Sequence, residues 1–205
     1  MSGLTVQWLG RLNYLEALAL QEKLVGERSE DTLLLLEHEP VYTIGRTLDQ
    51  SSLRSSTLPH PVQQINRGGQ ATYHGPGQLV GYPIIDLNKK RRDLHHYLRT
   101  LEELLIEVLA IYKITAQRRE GLTGVWVEDR KIASIGVGVR KWITMHGFAL
   151  NVGRDLSGFN AITPCGIADV RMTSLSLETN TDVSTEAFAE TCGTLFGAKL
   201  LDRLS

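Results

Sequence analysis

Apolar residues along this chain return either every three or four positions or in short runs broken by glycine, a contrast that separates helices from strands. Tyr14, Ala17, Leu18, Leu24 and Val25 fall on one stripe and predict a helix over residues 12–25. Leu94, Tyr97, Leu98, Leu101, Leu104, Leu105, Val108, Ile111 and Tyr112 keep the same spacing without a break, and Asp93 is placed to cap their start. Phe188, Cys192, Leu195 and Phe196 predict a last helix over residues 184–196. The four leucines at residues 33–36 read as a buried strand. Between residues 125 and 152 the pattern changes to Val, Ile and Leu runs punctuated by glycine. Residues 125–127 and 132–139, around polar residues 128–131, predict a hairpin. Helical and strand patterns are mixed, not strictly alternating. The expected fold is therefore α+β, one domain over residues 1–205 around a largely antiparallel or mixed sheet.

The length of 205 residues is that of one domain. With 42% hydrophobic and 22% charged residues, the composition excludes a disordered chain and a disulfide scaffold. A net charge of -1 supplies no global field for nucleic acid or an anionic membrane, so an anionic partner must be recognised locally. No apolar run approaches the roughly 20 residues of a membrane span. Residues 1–9 carry no export or organelle signal, and Cys165 and Cys192 form no Cys-x-x-Cys spacing, so the expected location is a reducing cytoplasm. No His/Cys cluster argues for a metal, and no cofactor motif is present.

The densest polar stretch is residues 67–81, where five glycines and one proline interrupt a sheet pattern. Such a segment either brings backbone N–H groups close to a ligand, with Arg67, Gln70, Thr72 and His74 as added donors, or is a glycine-rich bulge or hairpin loop. It is no P-loop, because no Gly-Lys-Ser/Thr follows, and no dinucleotide fingerprint, because a strand pattern follows. Cys165 stands between Pro164 and Gly166 in a turn, as an exposed thiol or a small buried hydrophobe; Cys192, on an apolar helix stripe, fits the second description. Lys131 is either an inward-pointing strand residue or a solvated turn lysine. His146 reads as a satisfied core or sheet-edge histidine. Lys89, Lys90, Arg91 and Arg92 are either a solvated face or a guide for an acidic partner, and as four cations before a helix N-terminus they oppose its dipole.

Taken together, Arg-Gly-Gly-Gln-Ala-Thr-Tyr-His-Gly-Pro-Gly-Gln at 67–78, Gly-Val-Trp-Val at 124–127, Lys-Ile-Ala-Ser-Ile-Gly at 131–136, His-Gly-Phe-Ala-Leu-Asn-Val at 146–152 and Thr-Pro-Cys-Gly-Ile at 163–167 resemble the lipoyl(octanoyl) transferases of lipoate biosynthesis. The resemblance implies transfer of an octanoyl group from acyl carrier protein to a lysine of lipoyl domains, in 2-oxoacid dehydrogenase complexes or the glycine cleavage H protein. It implies Cys165 as the acyl-thioester nucleophile and Lys131 as the residue that activates it. It makes Arg67, Gly68, Gly69, Gln70, Ala71, Thr72, Tyr73, His74, Ser134, Ile135, Gly136, Gly147, Phe148 and Ala149 the substrate-binding residues. The implied fold is that of biotin and lipoate ligases, related to class II synthetase catalytic domains. A thiol relay between a thioester and an amine needs no ATP, since thioester exchange is nearly isoenergetic and aminolysis is downhill. Backbone N–H groups near Gly75 and Gly77, and that of Cys165, are the expected oxyanion donors. The enzymatic rival is an ATP-dependent lipoate ligase, which shares the Arg-Gly-Gly block but has no use for Cys165; a non-catalytic holder of acylated carrier proteins is the rival of another class.

Overall fold

A computed structural model describes residues 3–27, 30–46, 50–55 and 57–205; residues 1 and 2 of the stretch read for a targeting signal lie outside them. The chain runs β1 (Thr5–Leu12), α1 (Tyr14–Glu27), β2 (Thr32–His38), β3 (Val41–Ile44), β4 (Val62–Gln64), β5 (Thr72–His74), β6 (Gln78–Ile84), α2 (Leu94–Ile111), β7 (Gln117–Arg119), β8 (Leu122–Val127), β9 (Arg130–Arg140), β10 (Ile143–Asn151), β11 (Arg171–Met172), α3 (Leu175–Thr179) and α4 (Thr185–Arg203). The main sheet has eight strands in the order β1-β2-β6-β10-β9-β8-β7, with β11 beside β9. It is mixed: β1 and β2 run parallel, as do β11 and β9, and the other pairs are antiparallel. A second sheet, β4-β3-β5, has three strands.

The leucine run of β2 shows why the main sheet sits in the middle. Leu33 and Leu35 enter the large core with α2 and α4, whereas Leu34 and Leu36 pack with Ala17 of α1. Successive side chains leave opposite faces of a strand, so a sheet covered on both sides reads as a continuous apolar run. α1 begins at Tyr14, two residues later than its stripe suggests, because Asn13 caps it: its Oδ1 accepts the Leu15 N–H at 2.9 Å, and Glu16 accepts the Asn13 N–H at 3.3 Å. Asp93 accepts the His96 N–H at 2.9 Å and starts α2 as expected. α4 continues to Arg203, beyond the expected end at residue 196. Gly197 weakens a helix, but Leu200 and Leu204 beyond it are buried in the main core and carry the helix on.

The expected hairpin is β8–β9, with its turn shortened to Glu128 and Asp129, so that Lys131 lies within the strand. Its ladder is irregular. Val125 pairs with Ala133 and Trp126 with Lys131, leaving Ile132 as an extra residue in β9. This bulge reverses the alternation of the strand at that point, so Lys131 shares a face with Ser134, whereas in a regular strand the two would point apart.

Gly147 in β10 lies where a Cβ would collide with the Gly81 carbonyl and approach Pro83 Cδ at 2.6 Å. Gly147→Ala should therefore push β10 from β6 and destabilise the protein by about 1–3 kcal/mol, the usual cost of overpacking. At about 2–4 °C per kcal/mol for a chain of this size, the thermal midpoint should fall by roughly 2–12 °C in calorimetry. An unchanged midpoint would show that the strand spacing is not set there.

Candidate active site

Cys165 sits in a short turn, Pro164–Gly166, with its backbone in the left-handed region at φ 57° and ψ 16°. A non-glycine residue pays about 1–3 kcal/mol to be held there, so something must hold it. The Cys165 N–H donates to the Ala71 carbonyl at 2.8 Å, the Gly166 N–H to Thr163 at 3.0 Å, and the Thr163 N–H to Ser52 at 2.7 Å. Gly166 follows with φ 68°, and a Cβ there would meet Gln70 Cγ at 2.7 Å. The turn projects the sulfur toward β9.

Lys131 reaches it from the other side. Its Nζ lies 3.4 Å from Cys165 Sγ, and Ser134 Oγ lies 3.6 Å from the same sulfur. Lys131 is only 2% exposed. Its side chain passes Gly124, where a Cβ would stand 2.7 Å from Lys131 Cε, and its ammonium nitrogen lies 5.4 Å from the centre of the Trp126 ring. The Lys131 carbonyl accepts the Thr173 N–H at 3.0 Å, which fixes the strand from the β11 side. Among the described residues no carboxylate forms an ion pair with Lys131. The contact pairs a buried amine with a thiol at hydrogen-bonding distance, the arrangement by which a base activates a nucleophile.

Cys165 opens into a cleft lined by Tyr14, Ile65, Arg67, Thr72, His74, Val80, Tyr82, Ser134, Ile135, Gly136, His146, Gly147, Phe148 and Ala149. Its inner end is polar but carries no carboxylate. Arg67 is buried, and its Nη2 donates to the Thr43 carbonyl, Thr43 Oγ1 and the Gln70 carbonyl, each at 3.0 Å. Burial holds its guanidinium below the usual range, while the neighbouring Cys165, Tyr14 and Tyr82 oppose that shift. Behind it lie three imidazoles. Burial lowers His38 to about 4; burial, then its neighbour His38, lowers His74 to about 3; burial, then Arg67, lowers His146 to about 4. His38 Nε2 lies 2.7 Å from the Tyr82 hydroxyl, and His74 Nδ1 lies 2.7 Å from Gln78 Oε1. Gln78 in turn donates to Asn151 at 2.9 Å, and Asn151 to the Thr173 carbonyl at 3.0 Å, so a polar chain runs from the cleft to the strand beside Lys131.

Of the residues implied by resemblance, Arg67, Thr72, His74, Ser134, Ile135, Gly136, Gly147, Phe148, Ala149 and Cys165 meet in this one cleft. Gly68, Gly69 and Gln70 line a neighbouring surface depression with Arg46 and Arg67. Ala71 contributes the carbonyl that holds Cys165. Tyr73 points to the opposite side of β5 from Thr72 and His74, packing against Tyr42, His60 and Phe159. Tyr14, read in the sequence only as part of a helix stripe, and Ile65, Val80 and Tyr82, not singled out there, also line the cleft. His146, expected to be a satisfied core histidine, is buried, and its backbone N–H donates to Gln21 at 2.8 Å, yet it also lines the cleft.

One expectation changes in part, and one open alternative narrows. Two of the expected oxyanion donors are already engaged: the Cys165 N–H by Ala71, and the Gly77 N–H by Glu37 Oε1 at 2.8 Å. The basic run fits the solvated face: Lys89, Arg91 and Arg92 are exposed, Lys89 lies 3.8 Å from Asp86, Arg91 3.0 Å from Asp93, and Lys90 donates to the Leu201 carbonyl at 3.2 Å. Its cations oppose the dipole of α2 but complement the C-terminus of α4. The run adjoins Asp86, which bridges to Ile143, whereas Ser134 pairs with Ala149, so roughly 20 Å of β10 separates it from the sulfur.

Residues 13–197 match the lipoyl protein ligase A/B catalytic domain family. The chain is 52% identical over 179 residues to a protein named octanoyltransferase from Geotalea uraniireducens, covering 85% of this chain and 83% of that one. It is 55% identical over 174 residues to an octanoyltransferase from Geobacter sulfurreducens, covering 83% and 73%. Among solved structures, a lipoate-protein ligase A bound with ATP has a TM-score of 0.76 at 19% identity, over 98% of this chain and 86% of that one. A biotin protein ligase from Aquifex aeolicus has a TM-score of 0.58 at 16% identity, over 96% and 68%. At such identities the structural likeness speaks for the fold alone, and the fold is the ligase-like α+β architecture expected.

The three buried imidazoles make stability depend on pH. Each binds its proton less well folded than unfolded, so its contribution is fully present above an unfolded value near 6.5 and is lost as pH falls toward about 4. Unfolding free energy from urea titrations should drop between pH 6.5 and 5, with a slope approaching about 1.4 kcal/mol per pH unit for each imidazole. His38→Gln should reduce that slope; a flat profile in this window would mean the imidazoles are not held neutral.

Proposed function

Because this chain belongs to the lipoyl protein ligase A/B catalytic domain family, and within it to the octanoyltransferases of lipoate biosynthesis, we propose that it transfers octanoyl groups through a thioester on Cys165. The supporting observation is the 3.4 Å contact between Lys131 Nζ and Cys165 Sγ. Octanoyl acyl carrier protein is the donor, and the acceptors are lipoyl domains of 2-oxoacid dehydrogenase complexes and the glycine cleavage H protein. No nucleotide takes part. Residues 1–205 act as one catalytic domain in the cytoplasm, with the segments around Arg67, Ser134 and Gly147 binding the substrate.

In the first half-reaction Lys131 takes the thiol proton, and the thiolate attacks the thioester carbon. Thiolate is the reactive form, and an unperturbed thiol offers only a few per cent of it at neutral pH. The tetrahedral intermediate collapses by breaking the bond to the donor sulfur, which leaves with the proton held on Lys131. In the second half-reaction the acceptor lysine amine attacks the acyl-enzyme, gives a proton to Lys131 and expels the Cys165 thiolate. The octanoyl chain lies against apolar residues of the cleft such as Ile65 and Val80, where each buried CH₂ contributes about 0.8 kcal/mol.

Intact-mass analysis of the protein mixed with octanoyl acyl carrier protein alone should show one octanoyl adduct, released by hydroxylamine or by an apo lipoyl domain. Cys165→Ala should abolish the adduct and Cys192→Ala should keep it, because Cys192 is fully buried in the core. An adduct that persists in Cys165→Ala, or transfer that requires ATP, overturns the assignment.

Lys131→Ala and Lys131→Arg should both lower turnover by about 10²- to 10⁴-fold, the usual worth of a positioned acid–base. Arginine keeps a cation but does not release its proton near neutral pH. The alanine variant should also slow alkylation of Cys165 by iodoacetamide. Near-normal turnover in Lys131→Arg would reduce Lys131 to electrostatic support.

A further inference from the structure

Acyl transfer at a thiol passes through two oxyanions, yet the backbone donors of the Cys165 turn are already occupied, as is that of Gly77. The N–H groups of Cys165, Gly166 and Gly77 are bonded to Ala71, Thr163 and Glu37. Two side chains in the cleft, Tyr14 and Thr72, stand in the opposite condition, each with a buried hydroxyl that has no hydrogen-bond partner among the described residues; of the two, Thr72 directly follows Ala71, which holds the Cys165 turn. Thr72 is 6% exposed, lines the same cleft as Cys165, and among the described residues its buried Oγ1 has no hydrogen-bond partner. Its partner across the β3–β5 ladder makes the contrast sharper. Thr43 pairs directly with Thr72, and its hydroxyl accepts from Arg67 at 3.0 Å and lies 3.4 Å from His74 Nε2.

We propose that the Thr72 hydroxyl is the oxyanion donor of the acyl-transfer reaction, a catalytic residue that finds its acceptor only when the carbonyl oxygen takes up negative charge. The inference rests on Cys165 being the acyl nucleophile. A buried hydroxyl without a partner destabilises a fold, and a local rule broken in this way is expected at a functional site. A backbone tie links the hydroxyl-bearing strand to the nucleophile. The hydrogen bond from the Cys165 N–H to Ala71 anchors the sulfur-bearing turn to the residue next to Thr72. As the Cys165 thiolate forms its bond to the carbonyl carbon, the π electrons move onto oxygen, and the Thr72 O–H donates to that oxygen. On collapse the carbonyl re-forms, the bond to the donor sulfur breaks, and that sulfur takes the proton from Lys131. The hydroxyl keeps its own proton throughout. An interaction made only in the transition state raises turnover without tightening substrate binding.

The test compares two reactions of Cys165 in Thr72→Val and Thr72→Ser. Acylation by an octanoyl thioester, followed by rapid quench and intact mass, passes through an oxyanion; alkylation by iodoacetamide displaces iodide and forms none. Thr72→Val should acylate about 10²- to 10³-fold more slowly, the effect of losing one oxyanion donor. Its alkylation rate should be unchanged and its thermal midpoint equal or higher, because an unpartnered hydroxyl has been removed. Thr72→Ser should recover most of the acylation rate. Equal acylation by wild type and Thr72→Val overturns the proposal, as does a parallel loss of acylation and alkylation, which marks a structural role. Should the valine variant not fold, Thr72→Ala gives the same comparison. Wild type that alkylates at Cys165 but never acylates there refutes the proposed function instead.

Discussion

An amine buried beside a thiol, with no carboxylate among the described residues to balance it, is the constraint that organises this molecule. Burying a group that carries charge is costly unless a partner compensates, and here the partner close at hand is the Cys165 sulfur at 3.4 Å. Several otherwise unrelated features serve that contact. Ile132 is the extra residue that turns Lys131 toward the cleft, Gly124 clears the path of its side chain, and Trp126 offers a ring face. β11 braces the strand from its other edge. Without the bulge, Lys131 would point away from the face that Ser134 occupies.

The rest of the cleft keeps the local charge simple. Arg67 is held by carbonyls, not by a carboxylate, and the three imidazoles behind it are neutral at physiological pH because burial disfavours their protonation. An anion that forms at Cys165 or on a bound carbonyl therefore meets donors and a fixed cation, with no competing carboxylate among the residues lining the cleft. The polar chain His74–Gln78–Asn151–Thr173 connects this region to the strand carrying Lys131. The two halves of the site are thus mechanically linked as well as adjacent.

Much of this was legible in the sequence because it depends on period and composition. The unbroken stripe of α2, the leucine run of β2 and the glycine-rich segment at residues 67–81 are local patterns with local causes. Cys165 and Lys131 could be named from motifs but not placed together, since 34 residues separate them and a one-residue bulge decides which way the lysine points. Tyr14 looked like an ordinary helix-stripe residue and Tyr82 drew no notice, because lining a cleft leaves no mark on hydrophobic spacing. Two of the expected oxyanion donors were misjudged for a related reason. Glycine and turn signals show where backbone N–H groups are exposed to approach, but not whether Ala71 or Glu37 has already claimed them. The basic run before α2 likewise made sense only with the C-terminus of α4 beside it.

The nucleophile and its base hang from different sheets. Cys165 is tied through Ala71 to the start of β5 in the three-stranded sheet, whereas Lys131 belongs to β9 in the eight-stranded one. The reactive contact therefore spans a seam, crossed by Arg67, whose guanidinium binds β3 while its stem rests against Gly136 of β9. A slide of one sheet over the other by about an ångström would separate amine from sulfur while leaving both cores packed, and misplacements of that size cost enzymes about 10²-fold. The site is in effect a gauge of how the two sheets are seated, so heat or denaturant should silence the chemistry before it unfolds the chain.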